Sequence, residues 1–287
     1  MYLERDCRFL AAADDIEQAK LVIVGAPMDF TVSFRPGTRE GPRHIRLMSV
    51  GLEEYSPELD RQLGEVAFAD AGDVIMQPGR VVGSLSRIAE VLRPLYRQGK
   101  TPLLLGGEHL VSLPAIEEAA RVHPGLAVLH FDAHADLRHE YLGEALSHAT
   151  VMRRVCEVVG AGNLYQFGIR SGTREEFAFA SGNCHLYRQW DQQLLHEVVQ
   201  QLAGRPVYIS LDIDVLDPAF APGTGTPEPG GVTPRALFDA LYQMTGLDVV
   251  GLDIVEVCPV YDPSGATGIL AAKLVREAIL LWAPRRR

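Results

Sequence analysis

The chain has 287 residues, 47% hydrophobic and 22% charged, with a formal net charge of −10, the profile of a globular chain able to bury a sizeable core. That acidic balance argues against nucleic acid or an anionic membrane surface as the main partner. No uncharged apolar run approaches the roughly 20 residues of a membrane span.

At the N-terminus, MYLERDCRFL has no basic segment followed by an apolar one, so no secretory signal is expected. Cys7, Cys156, Cys184 and Cys258 are scattered and form no CxxC pair, which reads as reduced thiols of a cytoplasmic protein. Beyond this point apolar runs and amphipathic stretches alternate. A strand is predicted over 21–25 and a helix over 81–97, then a strand over 102–105 and a helix over 112–122. The pattern continues with strand 126–131, helix 147–159, strand 164–169 and helix 192–202. It closes with strand 207–211, helix 234–245, strand 249–254 and helix 266–281. Ser147 and Thr233-Pro234 supply N-cap chemistry for two of these helices. The alternation predicts an α/β fold, a mostly parallel sheet flanked by helices, with residues 1–287 forming one domain. An eight-stranded α/β barrel is the alternative. In either fold, chemistry gathers at the carboxyl ends of the strands.

The polar motifs fall at those ends. GGEH (106–109) follows the strand at 102–105, DAHAD (132–136) follows 126–131, DIDVLDP (212–218) follows 207–211, and Glu256 follows 249–254. In extended backbone Asp132, His134 and Asp136 point to one side, since alternate residues share a face. Such a cluster is costly to desolvate without a cation. With His109, Asp212 and Asp214 it makes six ligand-type side chains, enough for two divalent ions that share bridging carboxylates and activate water. An oxygen-rich set with two imidazoles suits Mn²⁺ better than a thiolate-rich zinc site. Singly, each residue has a plainer explanation: a lone strand-end Asp is commonly a turn former. His130 reads as structural, facing away from His134 or lying inside the strand. The three motifs together have little structural explanation.

GGEH, FDAHADLR, SLDIDVLDPAFAPGTGTPEPGG and VEVCPVYD resemble the signature blocks of the ureohydrolases, the arginase and agmatinase family. GAPMDFTVSFRPGTREGPRHIR, residues 25–46, resembles that family's N-terminal block. The resemblance implies a three-layer α/β/α sandwich with a doubly wound, mostly parallel sheet, two manganese ions per chain, and homo-oligomers, commonly trimers or hexamers. By position, His109, Asp132, Asp136 and Asp212 would bind one ion. His134, Asp132, Asp212 and Asp214 would bind the other, with Asp132 and Asp212 bridging. Glu256 matches the glutamate that contacts the guanidinium, and His148, in SHAT, matches the histidine of proton transfer. Asp136 would also take part in catalysis, accepting a hydrogen bond from the activated water. The reaction implied is attack of metal-activated water on a guanidinium carbon, releasing urea and a primary amine.

Within the family, YLGEALSH through YQFGIRSGTREEF resembles bacterial agmatinases. Arg138 stands where arginases place an Asn that holds an amino acid's carboxylate, which favours agmatine over arginine and makes putrescine the amine product. N1-aminopropylagmatine and guanidinobutyrate are the near alternatives, the second because Arg138 could itself attract a carboxylate. A single-metal deacetylase or a non-catalytic binding protein of the same fold is the alternative from another class.

Overall fold

The computed structural model describes residues 2–13 and 15–286. Every residue of LVIVGA, Leu21–Ala26, is buried, as expected of a strand covered on both faces. Among the described residues the main sheet has nine strands. They are β1 Leu3–Glu4, β2 Leu21–Ala26, β3 Phe68–Val74, β4 Thr101–Gly106, β5 Ala127–Phe131, β6 Leu164–Phe167, β7 His185–Tyr187, β8 Pro206–Asp212 and β9 Asp248–Val255. Their order is β1-β3-β2-β4-β9-β8-β5-β6-β7. All pairings are parallel except β1 with β3 at one edge. The sheet is open, with β1 and β7 at its two edges, so the barrel alternative is excluded.

Eight helices cover the two faces among the described residues: α1 Gly41–Ser49, α2 Val81–Arg97, α3 Ser112–Val122, α4 Val151–Val159, α5 Arg174–Asn183, α6 Gln192–Gln201, α7 Pro234–Gln243 and α8 Ala266–Trp282. Alternation along β2 shows the layering. Leu21 and Ile23 join one core with Ile45 of α1, Leu195 of α6, Leu237 of α7 and Ala271 of α8. Val22 and Val24 join the other with Leu85 of α2, Ile116 of α3, Val155 of α4 and Ala180 of α5. The result is the three-layer α/β/α arrangement. No helix among the described residues is long and apolar enough to cross a membrane.

The helices predicted over 81–97 and 112–122 have those bounds in α2 and α3. The segment at 147–159 opens with a 3-10 turn, His148–Thr150, before α4, and Ser147 caps it with its hydroxyl on the Ala149 N–H. Strand β3, FADAGDV, carries no clear apolar signal because Asp70, Gly72 and Asp73 interrupt it. Asp70 is nonetheless fully buried and paired with the equally buried Arg46 of α1.

The paired glycines of GGEH have a packing cause. A Cβ on Gly107 would lie 1.9 Å from the Met28 carbonyl oxygen. The Gly107 and Glu108 N–H groups donate to Ala26 and Met28, at 3.0 and 2.7 Å. Only glycine allows the chain leaving β4 to run so close to the chain leaving β2. That contact brings residues 28–33 to the carboxyl ends of the central strands.

Candidate metal centre

Four neighbouring strands, β4, β9, β8 and β5, supply the site. His109 opens a 3-10 turn just past β4, Asp132, His134 and Asp136 follow β5, Asp212 ends β8 with Asp214 in the next 3-10 turn, and Glu256 follows β9. Asp136 and Glu256 have φ of 53° and 63°, the left-handed region that L side chains other than Asn or Asp seldom occupy. Asp136 tolerates that conformation, whereas at Glu256 it is strain, which surrounding structure holds in place and which gathers at functional positions.

The six candidate ligands form two poles. At the first, His109 Nδ1 lies 3.0 Å from Asp132 Oδ2, 3.3 Å from Asp136 Oδ2 and 3.4 Å from Asp212 Oδ2. The other ring nitrogen, Nε2, is 2.9 Å from Ser210 Oγ, and that hydroxyl donates to Asp253 Oδ1 at 2.8 Å. Ser210 therefore accepts from Nε2–H, so Nδ1 of the neutral ring would offer its lone pair to the cluster. Nδ1 is buried and faces three carboxylate oxygens, and although burial opposes a charged ring, those carboxylates raise the His109 pKa well above its usual value. Such an arrangement is repulsive unless positive charge sits among these atoms.

At the second pole, His134 Nδ1 lies 3.0 Å from Asp214 Oδ2 and 3.5 Å from Asp132 Oδ1. Asp214 Oδ2 is buried without a hydrogen-bond partner. Asp132 thus presents one oxygen to each pole, the placement expected of a bridging carboxylate. Asp212 meets the first pole through Oδ2, while its Oδ1 accepts the Asp214 N–H at 2.8 Å.

The electrostatics ask for a cation. Burial pushes the Asp212 carboxyl well above the usual carboxylate range, and the charges of Asp214 and Asp132 push it further. Burial also raises Asp214, against the opposing pull of His134. Burial disfavours the His134 cation, yet Asp214 and Asp132 outweigh it and lift its pKa to about 12. A buried His/Asp cluster with an orphaned ligand atom, Asp214 Oδ2, fits metal ions, and the mixture of carboxylates with imidazole suits hard or borderline divalent cations.

Two hydrogen-bonded supports escaped the reading of the sequence. His130 lies beside the cluster, with Nε2 2.8 Å from Asp132 Oδ2. The Gln166 amide donates to the Ala135 carbonyl at 2.8 Å and, with its second hydrogen, to His130 Nδ1 at 2.9 Å. His130 Nε2 therefore carries the proton and gives it to Asp132, so the ring, though part of the first His/Asp group, turns a hydrogen toward it and buttresses a candidate ligand. The available signal was parity, since positions 130 and 132 share a strand face. The second support is the Ser210–Asp253 pair behind His109, with Tyr208 donating to Asp253 Oδ2 at 2.8 Å.

Above the poles lies a cavity of about 250 Å³ lined by His109, His134, Asp136, Asp212, His148 and Glu256, toward the small end of ligand pockets. Glu256 Oε1 accepts the His109 N–H at 2.7 Å, and burial drives its carboxyl well above the usual range. Burial lowers the pKa of His148, against the pull of Asp136. At the mouth, Arg138 Nε lies 3.4 Å from Glu176 Oε2 and its guanidinium carbon 4.5 Å from the Tyr141 ring centroid. Thr226, of the 222–231 loop, also lines the cavity.

The sequence model of the Arginase family matches residues 19–281. The chain is 51% identical to the agmatinase of Bacillus cereus over 96% of each protein. It is 48% identical to that of Bacillus subtilis over 95% of each. Proclavaminate amidino hydrolase from Streptomyces clavuligerus superposes with a TM-score of 0.86 at 31% identity, covering 98% of each chain.

Proposed function

Because the chain belongs to the arginase family, we propose that it hydrolyses agmatine to putrescine and urea with two manganese ions bound by its His/Asp cluster. The observation that carries this reading is the pair of poles that meet at Asp132 beneath the Glu256 carboxylate. His109, Asp132, Asp136 and Asp212 would hold one ion, and His134, Asp132, Asp212 and Asp214 the other. The carboxylate majority with two imidazoles is what supports manganese. Bound there, the ions supply Lewis acidity that lowers the pKa of water toward neutrality.

The protein's own groups do the rest. Glu256 has one oxygen held by the His109 amide and offers the other to the guanidinium nitrogens, which orients the substrate and balances its charge. Asp136 accepts a hydrogen bond from the attacking water. His148, whose pKa burial lowers against the pull of Asp136, takes up a proton and passes it to the departing amine. Ligands span positions 109 to 214 and Glu256 lies beyond them, which supports reading residues 1–287 as one catalytic domain.

Arg138 decides among the guanidino compounds. An unpaired guanidinium at the mouth would draw the carboxylate of guanidinobutyrate or arginine. Arg138 is instead turned toward the buried Glu176 and rests on Tyr141, which weakens its hold on a substrate carboxylate and supports agmatine or N1-aminopropylagmatine. Urea release should be measured over agmatine, aminopropylagmatine, arginine and guanidinobutyrate with Mn²⁺ present. Both carboxylate substrates should fall at least about a hundredfold below agmatine in kcat/KM, the scale on which lost or mismatched polar contacts discriminate. Faster turnover of either would make Arg138 a carboxylate binder and overturn the agmatine assignment.

A single-metal deacetylase or non-catalytic binder of this fold would have no use for the second pole. Metal analysis after manganese loading should approach two equivalents per chain, falling toward one in Asp214→Ala. Saturation at one equivalent, unchanged by that substitution, would exclude the binuclear reading. For its setting we propose a cytoplasmic homo-oligomer, trimeric or hexameric. Four free thiols suit a reducing compartment, and the exposed Phe34 and Leu142 are surface that a second copy could cover. Light scattering on the purified protein tests the assembly.

A further inference from the structure

We infer that Thr31 is a positioning residue for His148, fixing which nitrogen of the imidazole faces the cavity. This deepens the reading above, since it rests on His148 being the group that moves the proton. Neither residue belongs to the two metal poles, and Thr31 sits in the loop that the Gly107–Met28 contact brings over the strand ends.

The argument is one of hydrogens. Glu108 is fully buried, and its Oε2 receives the Thr31 N–H at 2.9 Å and lies 2.6 Å from Thr31 Oγ1. An oxygen already accepting an amide hydrogen accepts the hydroxyl hydrogen as well, so the Thr31 hydroxyl donates to Glu108. That leaves Oγ1 with two lone pairs. One accepts the His148 backbone N–H at 3.0 Å. The other faces His148 Nδ1 at 3.4 Å. A lone pair there requires a hydrogen on Nδ1, and the imidazole is then the tautomer whose Nε2 is free to take a proton. Tyr141 meets the ring edge-on, with centroids 5.5 Å apart, and closes its other flank. The chain Glu108–Thr31–His148 thus holds the ring by both its backbone and its side chain, and sets it to receive.

The test is a double-mutant cycle in the manganese-loaded enzyme, reading kcat and KM separately for agmatine. Thr31→Val keeps the shape and removes the hydroxyl; kcat should fall about tenfold, the value of one lost hydrogen bond, with KM and metal content unchanged. Thr31→Ser, which keeps the hydroxyl, should return kcat to near wild type. His148→Ala should lower kcat by roughly a hundredfold or more, as loss of a general acid–base does. Thr31→Val should cost nothing further in that background. If Thr31→Val lowers kcat by the same factor with and without His148, or has no effect while His148→Ala does, the positioning role is wrong and the role of His148 stands. If His148→Ala has wild-type kcat, both are overturned. A Thr31→Ser enzyme as impaired as Thr31→Val would also reject the inference, because the hydroxyl would then not be the group that matters.

Discussion

At the level of single residues, the groups that hold the cluster in shape are as specific as those that compose it. Gln166 has both amide hydrogens committed, to Ala135 and to His130, and so determines which nitrogen of His130 meets Asp132. Gln166→Ala or His130→Ala should therefore weaken metal binding by about 10–100-fold, the usual effect of losing a group that orients a ligand. Competition with a graded chelator measures this, and wild-type affinity in both variants would show that Asp132 needs no such support. The cluster of candidate ligands was legible because DxHxD and DxD at strand ends put several costly charges in one place, which few sequences do without reason. His130, Gln166, Ser210 and Asp253 were not legible. Each reads as an ordinary residue in an apolar run, and its role exists only through partners on a neighbouring strand. Arg138 was half legible: its position could be read, while the Glu176 that neutralises it lies 38 residues away.

Among elements, the joint between α1 and β3 rests on a buried charge network. Arg46 is buried and donates to both oxygens of Asp70, at 2.8 and 2.9 Å, and to Asp73. Arg46→Ala would leave two carboxylates without their partner and should destabilise the protein by about 3–5 kcal/mol. Urea unfolding reads this directly, and a loss below about 1 kcal/mol would place the joint with exposed ion pairs. The same joint explains where sequence reading of the fold stopped. Strands with unbroken apolar runs, such as β2 and β4, announced themselves, as did the strongly amphipathic α2 and α3. Strand β3 did not, since its two aspartates point at an arginine whose burial no periodicity reveals. Edge strands β1 and β7, two and three residues long, carry too few side chains for a pattern.

For the molecule as a whole, the cluster is a store of repulsion that a bound cation relieves, so metal and fold stabilise one another. Manganese should raise the thermal midpoint, by the equivalent of about 2.7 kcal/mol at a concentration of 100 times Kd, and a chelator should reverse the gain. A midpoint indifferent to both would mean that the cluster is already neutralised by protons. The strand order adds a constraint in time. β4 and β5 are consecutive in the main sheet's chain order, yet β9 and β8 lie between them. While the chain is being synthesised, the candidate ligands after β4 and those after β5 are separated by a gap of two strands. The gap can close only after residues 206–255 have left the ribosome, and pairings so distant in sequence form slowly. A nascent chain stopped before Pro206 should therefore hold no metal tightly and should expose two unpaired strand edges, a surface prone to aggregation. A metal ion could be held tightly only once the last strands have slid into the middle of the sheet, so its capture would report that the four central strands are in place.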